Sequence, residues 1–425
     1  MSRKAWAWAF YDWANSAFPT VVSTFVIAAY FAQGVAPDPA SGQAMWGWMQ
    51  TAAGVAIALL SPVLGAVADA GGRRRLMLLA CTVFTAFFTA LIWFAEPRPA
   101  DALWALACVG LATVGFELGT VFYNSMLPQV APPERLGRVS GLAWGLGYAG
   151  GLACLGTCLL LLVQPDPSPF GLDRGNAEHI RATALLVAVW TLAFGWPVLL
   201  ALPDPPPPRP RWREAARKGL AEITGLLRGL PHRPAMARFL VARLFYTDGL
   251  NTLFAFGAIY AAGVFGMPFE EILLFGIALN VTAGLGAAGF GLVEDKLGAR
   301  RTILVSLVAI IAIGLGLVLV ESKAEFWALA VVLGIFMGPA QSASRSFMAA
   351  LAPPAEVSAH FGLFALSGRI TGFLGPAALA AVTAATGNQR LGMATVLVFL
   401  ALGAAILLTV REPAATRPGW ATPLA

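Results

Sequence analysis

The chain has 425 residues, of which 58% are apolar and only 12% charged, where a soluble globular domain carries roughly a quarter charged residues. Such a chain cannot hide its apolar surface in water, which argues against a soluble enzyme or binding module. The net charge of +6 is explained by the placement of its basic residues along the chain, so no nucleic-acid partner is needed to account for it.

Twelve apolar runs near the roughly 20 residues needed to span a bilayer follow one another. They lie at about residues 5–32, 45–68, 76–95, 101–126, 139–163 and 182–202, then at about 236–262, 271–293, 302–320, 325–350, 357–383 and 391–410. They predict an all-α membrane protein with twelve transmembrane helices. The first run follows Arg3 and Lys4 but is long and holds Asp12 and Asn15, so it reads as a retained helix, not a cleaved signal. With the N-terminus in the cytoplasm, 20 of the 28 basic residues fall on the cytoplasmic side. The expected address is the cell inner membrane, multi-pass, with both termini cytoplasmic.

A polar break at residues 203–235 separates a first six-helix half, 1–202, from a second, 236–425. Four prolines end the preceding helix, since proline cannot continue one. Within the break Trp212, Ala216, Leu220, Ile223 and Leu227 recur at helical spacing opposite Arg213, Arg217 and Lys218. That predicts a linker with an amphipathic helix suited to an anionic membrane surface.

The halves repeat one another. DxxN[ST]xF begins at Asp12 in the first half and again at Asp248 in the second. GxxxDxxG followed by paired arginines joins Gly65, Asp69, Gly72, Arg73 and Arg74. The same signature joins Gly291, Asp295, Gly298, Arg300 and Arg301, with Ala299 inserted before the arginines. Ala131-Pro-Pro133, Gly141, Gly147 and Gly151 match Ala352-Pro-Pro354, Gly362, Gly368 and Gly372, every pair at the same offset. Duplicated halves put a pseudo-two-fold axis along the membrane normal and a solute site where they meet, with alternating access by rocking. The glycines of the loop let two helix ends approach closely. Asp69 can then meet a neighbouring helix N-terminus, where a carboxylate is favoured. The loop reads as a gating latch.

GxxxDxxG with arginines between the second and third spans resembles the loop signature of the major facilitator superfamily. Within it, YDWANSAF at residues 11–18, FYNSMLP at 122–128, GLAWGLGYAGG at 141–151 and YTDG at 246–249 resemble the vacuole-effluxer-like family of autophagy-related permeases. The compact loops resemble its bacterial-type members. The resemblance implies a multi-pass transporter, with fungal members associated with amino-acid release from the vacuole.

Ionisable groups inside spans cost roughly 2.5–3.5 kcal/mol each even on the mildest scale. Asp12 and Asn15 share one face of the first helix, and Asp248 and Asn251 one face of the seventh. Glu117 and Asn124 lie on one stripe of the fourth, Gln341 and Arg345 on the tenth, and Arg369 on the eleventh. These nine residues are the expected substrate or proton site. The alternative is a neutral network, since Asp12, Glu117 and Asp248 face Arg243, Arg345 and Arg369; Arg243, nearest the helix end, has the reach to snorkel. Cys81, Cys108, Cys154 and Cys158 read as packing residues, and no metal site, cofactor, catalytic residue or phosphate loop is expected. The expected function is a secondary transporter of a small polar solute, with amino acids as the leading class, open to proton coupling and working as a monomer in the lipid bilayer. The alternatives are an exporter of drugs, sugars or carboxylates on the same fold, and a membrane sensor or scaffold that does not transport.

Overall fold

The computed structural model describes residues 1–165, 167–204, 212–267 and 269–411. The proline run after Asp204, together with Arg209, Arg211 and Arg417, lies outside the described residues, as do the side chains of Trp212, Ile223 and Leu227.

Six long helices come first: α1 Arg3–Val35, α2 Met45–Gly71, α3 Arg74–Phe94, α4 Pro99–Ser125, α5 Pro133–Val163 and α6 Glu178–Ala201. Helix α1 is regular to Asn15, and from Phe18 to Phe25 its turns widen to a π-helix with Pro19 in its first turn. Proline has no N–H to give the preceding turn, so the ladder loosens there. The connecting segment holds α7, Trp212–Gly229. Its Ala215, Gly219 and Leu226 are buried, and Gly219 touches the backbone of Ala66 and Val67 on α2, while Leu220 stays exposed. Then follow α8 Pro234–Phe265, α9 Phe269–Leu297, α10 Ala299–Leu319, α11 Lys323–Leu351, α12 Val357–Ser367, α13 Leu374–Thr386 and α14 Gln389–Leu408.

Among the described residues ten helices are long and apolar enough to cross a membrane, not the twelve expected. The other two expected spans differ in kind. Helix α8 is 32 residues long and carries Arg243, Asp248, Asn251 and Thr252 within it. The expected eleventh span is interrupted between Ser367 and Leu374, leaving α12 with 11 residues and α13 with 13. Gly368 and Gly372 stand in the gap, where glycine weakens a helix by about 1 kcal/mol relative to alanine.

Helices α1–α6 meet α8–α14 chiefly through α5 against α9 and α2 against α12. The contacts crossing between the two groups are dense at the end bearing Asp69 and Asp295. There Gly65 abuts the Ser358 carbonyl and Gly141 the Ala287 carbonyl so closely that neither has room for a Cβ. Such approach of small residues is how helices associate where no water drives them together. Further along, the crossings include Tyr148 beside Gly284 and Phe25 beside Gly276.

Candidate functional site

At the end bearing Asp69 and Asp295 the two loop motifs build matching junctions. Gly72 and Gly298 turn the chain with φ of 58° and 87°, values that glycine adopts without steric cost. Asp69 Oδ2 accepts the N–H of Ala359 at 2.8 Å, and Asp295 Oδ1 accepts the N–H of Arg138 at 3.0 Å. Ala359 is the third residue of α12, and Arg138 the third of the regular part of α5. Each carboxylate therefore caps a helix N-terminus belonging to the other group, satisfying a donor with no partner in its own helix. The arginines differ. Arg74 holds Asp69 Oδ1 at 2.7 Å. Arg300, at the matching offset, turns away to the carbonyls of Leu407 and Leu408, and Asp295 pairs with Arg138 at 3.2 Å instead.

Arg345 sits behind these junctions, 3% exposed. Its Nη1 donates to Asp12 at 2.9 Å, with Asn124 Oδ1 at 3.5 Å; its Nε reaches the Ser140 hydroxyl at 2.9 Å and its Nη2 the Ser140 carbonyl at 2.6 Å. The guanidinium lies 4.8 Å over the Trp8 ring and 5.7 Å from those of Tyr123 and Trp144. Trp8 and Tyr123 stack at 4.4 Å, and the Trp8 indole donates to the Tyr123 carbonyl at 2.8 Å. Residues from three of the family-like motifs thus gather round one arginine of α11. A planar five-donor group stacked on aromatic faces suits this cage in a way that lysine would not.

Glu117 of α4 and Arg369, in the interruption between α12 and α13, form an ion pair whose side chains are 22% and 33% exposed. Asp248 is 2% exposed. Its Oδ2 accepts the N–H of Gly375, the second residue of α13, at 2.9 Å, while its Oδ1 and the nearby Thr252 hydroxyl have no hydrogen-bond partner among the described residues. One helical turn or so earlier on α8, Arg243 donates to the Phe364 carbonyl and to Ser367 Oγ at 2.8 Å, its guanidinium 3.5 Å from the Phe364 ring. Arg243 therefore points inward and does not snorkel. Helix α8 sets a cation at the C-terminal end of α12 and a carboxylate at the N-terminal end of α13, each sign opposite to the helix end it faces.

The structure thus gathers Asp12, Asn124 and Arg345 in one cluster and Glu117 and Arg369 in a second, with Asp248 in a third. Asn15 is buried on α1, Gln341 is half-buried on α11, and Asn251 is exposed. Sequence reasoning passed over Ser140, Trp8 and Glu294. Ser140 and Trp8 adjoin motifs whose identity alone gave no hint of an arginine between them. The four cysteines are unpaired thiols, three of them buried.

The model of the family described as "Vacuole effluxer Atg22 like" matches residues 49–136 and 133–418. An uncharacterized MFS-type transporter, YxiO of Bacillus subtilis, is 24% identical over 429 residues, 96% of this chain and 95% of that protein. Autophagy-related protein 22 of Cryptococcus neoformans is 29% identical over 290 residues, but these are 64% of this chain and 52% of that protein; the chain spans about half the length of this fungal relative. The proton:xylose symporter XylE superposes with a TM-score of 0.73 over 98% of this chain at 12% identity, and FucP in its outward conformation with 0.73 over 96% at 12%. The fold is therefore that of the major facilitator superfamily. The expected cell inner membrane is corrected by these matches: a vacuole effluxer family and fungal autophagy-related relatives point to a vacuolar or other organelle membrane, not specifically to a bacterial inner membrane. Hydrophobic composition and the basic-residue bias fix that a chain spans a membrane, not which membrane. The matches are to transporters, and the chain is not an enzyme.

Proposed function

Because the chain belongs to the vacuole effluxer Atg22-like family, we propose that it is a secondary transporter moving a small polar solute by alternating access, with Glu117 and Arg369 as the groups the solute meets. The observation that carries this reading is their partly exposed ion pair, placed where a spanning helix is interrupted, above an end sealed by two capped junctions. Interrupted helices with charged flanks are where transporters of several folds bind their cargo. An arginine that can exchange one carboxylate for another offers a solute a bidentate partner.

The same reading treats residues 1–202 and 236–425 as the two rocking bodies, twelve membrane crossings with α12 and α13 counted as one, and residues 203–235 as their tether. It takes the chain as a monomer and as a compact member of the family, a view supported by the end-to-end match with the Bacillus relative. For the solute, sugars and carboxylates take precedence over amino acids. XylE and FucP are named for xylose and fucose, and another fold relative is a human organic anion transporter. Asp248 has a free carboxylate oxygen for a proton or a solute cation, whereas Asp12, Asn124 and Arg345 satisfy one another and serve as a clamp.

A thermal-shift panel of sugars, carboxylates, amino acids and amphiphilic drugs on purified protein, followed by flux of each hit into proteoliposomes, tests the reading. Binding stabilises the folded state by mass action, by about 2.7 kcal/mol at a hundred times Kd. Flux that is lost in Glu117→Gln supports it. Ligand binding with no flux by intact protein in vesicles identifies a sensor and sinks the transporter reading.

A further inference from the structure

Glu294 precedes the latch aspartate and is 4% exposed. Its Oε1 accepts a hydrogen bond from the Ser346 hydroxyl, and its Oε2 has no hydrogen-bond partner among the described residues. It fills the place left by a missing side chain across the seam, since a Cβ on Gly137 of α5 would stand 2.6 Å from Glu294 Cβ and Cδ. The cations around it are committed elsewhere or face outward. Asp295 beside it is engaged by Arg138 of α5, and Arg345 of α11 is taken by Asp12 and Ser140. Arg300 of α10 is turned to α14, Arg243 of α8 is held at the end of α12, and Arg135, Lys296 and Arg301 are exposed.

The matching place in the other junction shows what the seam needs and what it does not. By the spacing of the repeated motifs, Glu294 corresponds to Ala68, Ser346 to Ser125 and Gly137 to Ser358. There Ser358 Oγ donates to Ser125 Oγ at 3.0 Å beside a fully buried Ala68. That junction closes with two hydroxyls and a methyl group. Its partner junction gives up a serine side chain to house a carboxylic acid.

An ionised carboxylate shut away from water, with one hydroxyl as its hydrogen-bond partner and no cation paired with it among the described residues, is strongly disfavoured. We propose that Glu294 is a proton-binding site tied to the seam: it holds a proton while the Asp69 and Asp295 junctions are closed and yields it to water when they part. Closing then takes up one proton from the side on which the loops lie. This rests on the alternating-access reading above, and it assigns the coupling ion to a residue outside the solute cavity.

The test places spin labels at Gln129 and Ala355, both exposed and on opposite sides of the seam, in full-length protein whose four native cysteines are replaced. The distance distribution is then recorded in lipid nanodiscs from pH 5 to 9 without solute. Wild type closes at low pH, and the closed-to-open ratio falls by up to about tenfold per pH unit as the pH rises, the slope of one linked proton. Glu294→Gln, which keeps the Ser346 bond and the shape, stays closed at every pH. The double variant Glu294→Ala with Gly137→Ser, which copies the Ala68 and Ser358 arrangement, also closes without pH dependence, so misfolding of a single variant does not blur the result. A wild-type slope retained in Glu294→Gln overturns the proposal, as does a wild-type ratio indifferent to pH. Flux into vesicles is measured in parallel; transport that persists while the slope is absent removes only Glu294, whereas absence of transport and of any seam opening removes the alternating-access reading itself.

Discussion

Asp12 and Asp248 stand at matching places in two copies of one motif and end in opposite circumstances. Asp12 meets an arginine from the other half of the chain, in a cage of aromatic rings. Among the described residues Asp248 meets the backbone of an interrupted helix, and its other oxygen has no hydrogen-bond partner. Both aspartates open the same DxxN[ST]xF pattern; the partner helices differ. Helix α5 runs unbroken past Gly147, whereas its counterpart is interrupted at Gly368. By the offset that pairs those glycines, the counterpart of Arg345 is Asn124, which carries no charge to offer Asp248. Of the two copies of the motif, one holds its aspartate against an arginine and the other leaves a carboxylate oxygen without a hydrogen-bond partner among the described residues.

The largest expected effect breaks the clamp. Arg345→Ala leaves the partly buried Asp12 without its cation, and removing one partner of a buried pair costs about 3–5 kcal/mol. The purified variant should melt far below wild type in a detergent thermal ramp. Pairing Asp12→Leu with Arg345→Met should recover most of that loss, because an apolar pair of similar size is often neutral or better. If the single variant melts like wild type, the cage carries no stability and Asp12 is no more committed than Asp248.

A second expectation concerns Glu117 and Arg369, which are partly exposed and so differ from the clamp in kind. Glu117→Gln should change stability by less than about 1 kcal/mol. It should weaken solute binding roughly ten- to a hundredfold, since a hydrogen bond to a charged group is worth about 1.5–3 kcal/mol. Isothermal titration with the hit of the thermal-shift panel reads the affinity. A large drop in melting temperature with unchanged affinity would make this pair another clamp.

The smallest effect compares the two capping aspartates. Asp69→Asn and Asp295→Asn each keep an oxygen for the helix cap and lose the charge facing the helix dipole, worth about 0.3–1 kcal/mol. The seam equilibrium should shift toward open by up to about fivefold in either variant, with transport falling further than solute binding. Spin-label distances across the seam measure the shift. Loss of binding as severe as the loss of transport, with the fold intact, would place these loops in the solute site.

Much of this architecture is legible in the sequence because periodicity and repetition are one-dimensional signals. That Asp69 can meet a neighbouring helix N-terminus is readable from glycine spacing and an acid at a turn; that the helix is α12 is not. The polar faces of α1 and α4 follow from residues three and four apart. What the sequence withholds is pairing across the interface. Nothing in the spacing says that Arg345 prefers Asp12 to Glu117, because that choice depends on how α11 is rotated against α1 and α5. The interruption after Ser367 is equally hidden: Gly368 and Gly372 match Gly147 and Gly151, yet only the former pair stands in a break. Glu294 escaped notice because its significance lies in the absent side chain of Gly137, a residue far away along the chain.

The most direct test of the division between clamp and working carboxylate is counterflow of the transported solute into proteoliposomes by Asp12→Asn and Asp248→Asn, each alongside its melting temperature. The account predicts that Asp12→Asn melts well below wild type but retains flux in proportion to the protein that remains folded. Asp248→Asn should melt at or above wild type and lose flux. A destabilised Asp248→Asn that still transports, beside a stable Asp12→Asn that does not, would contradict it.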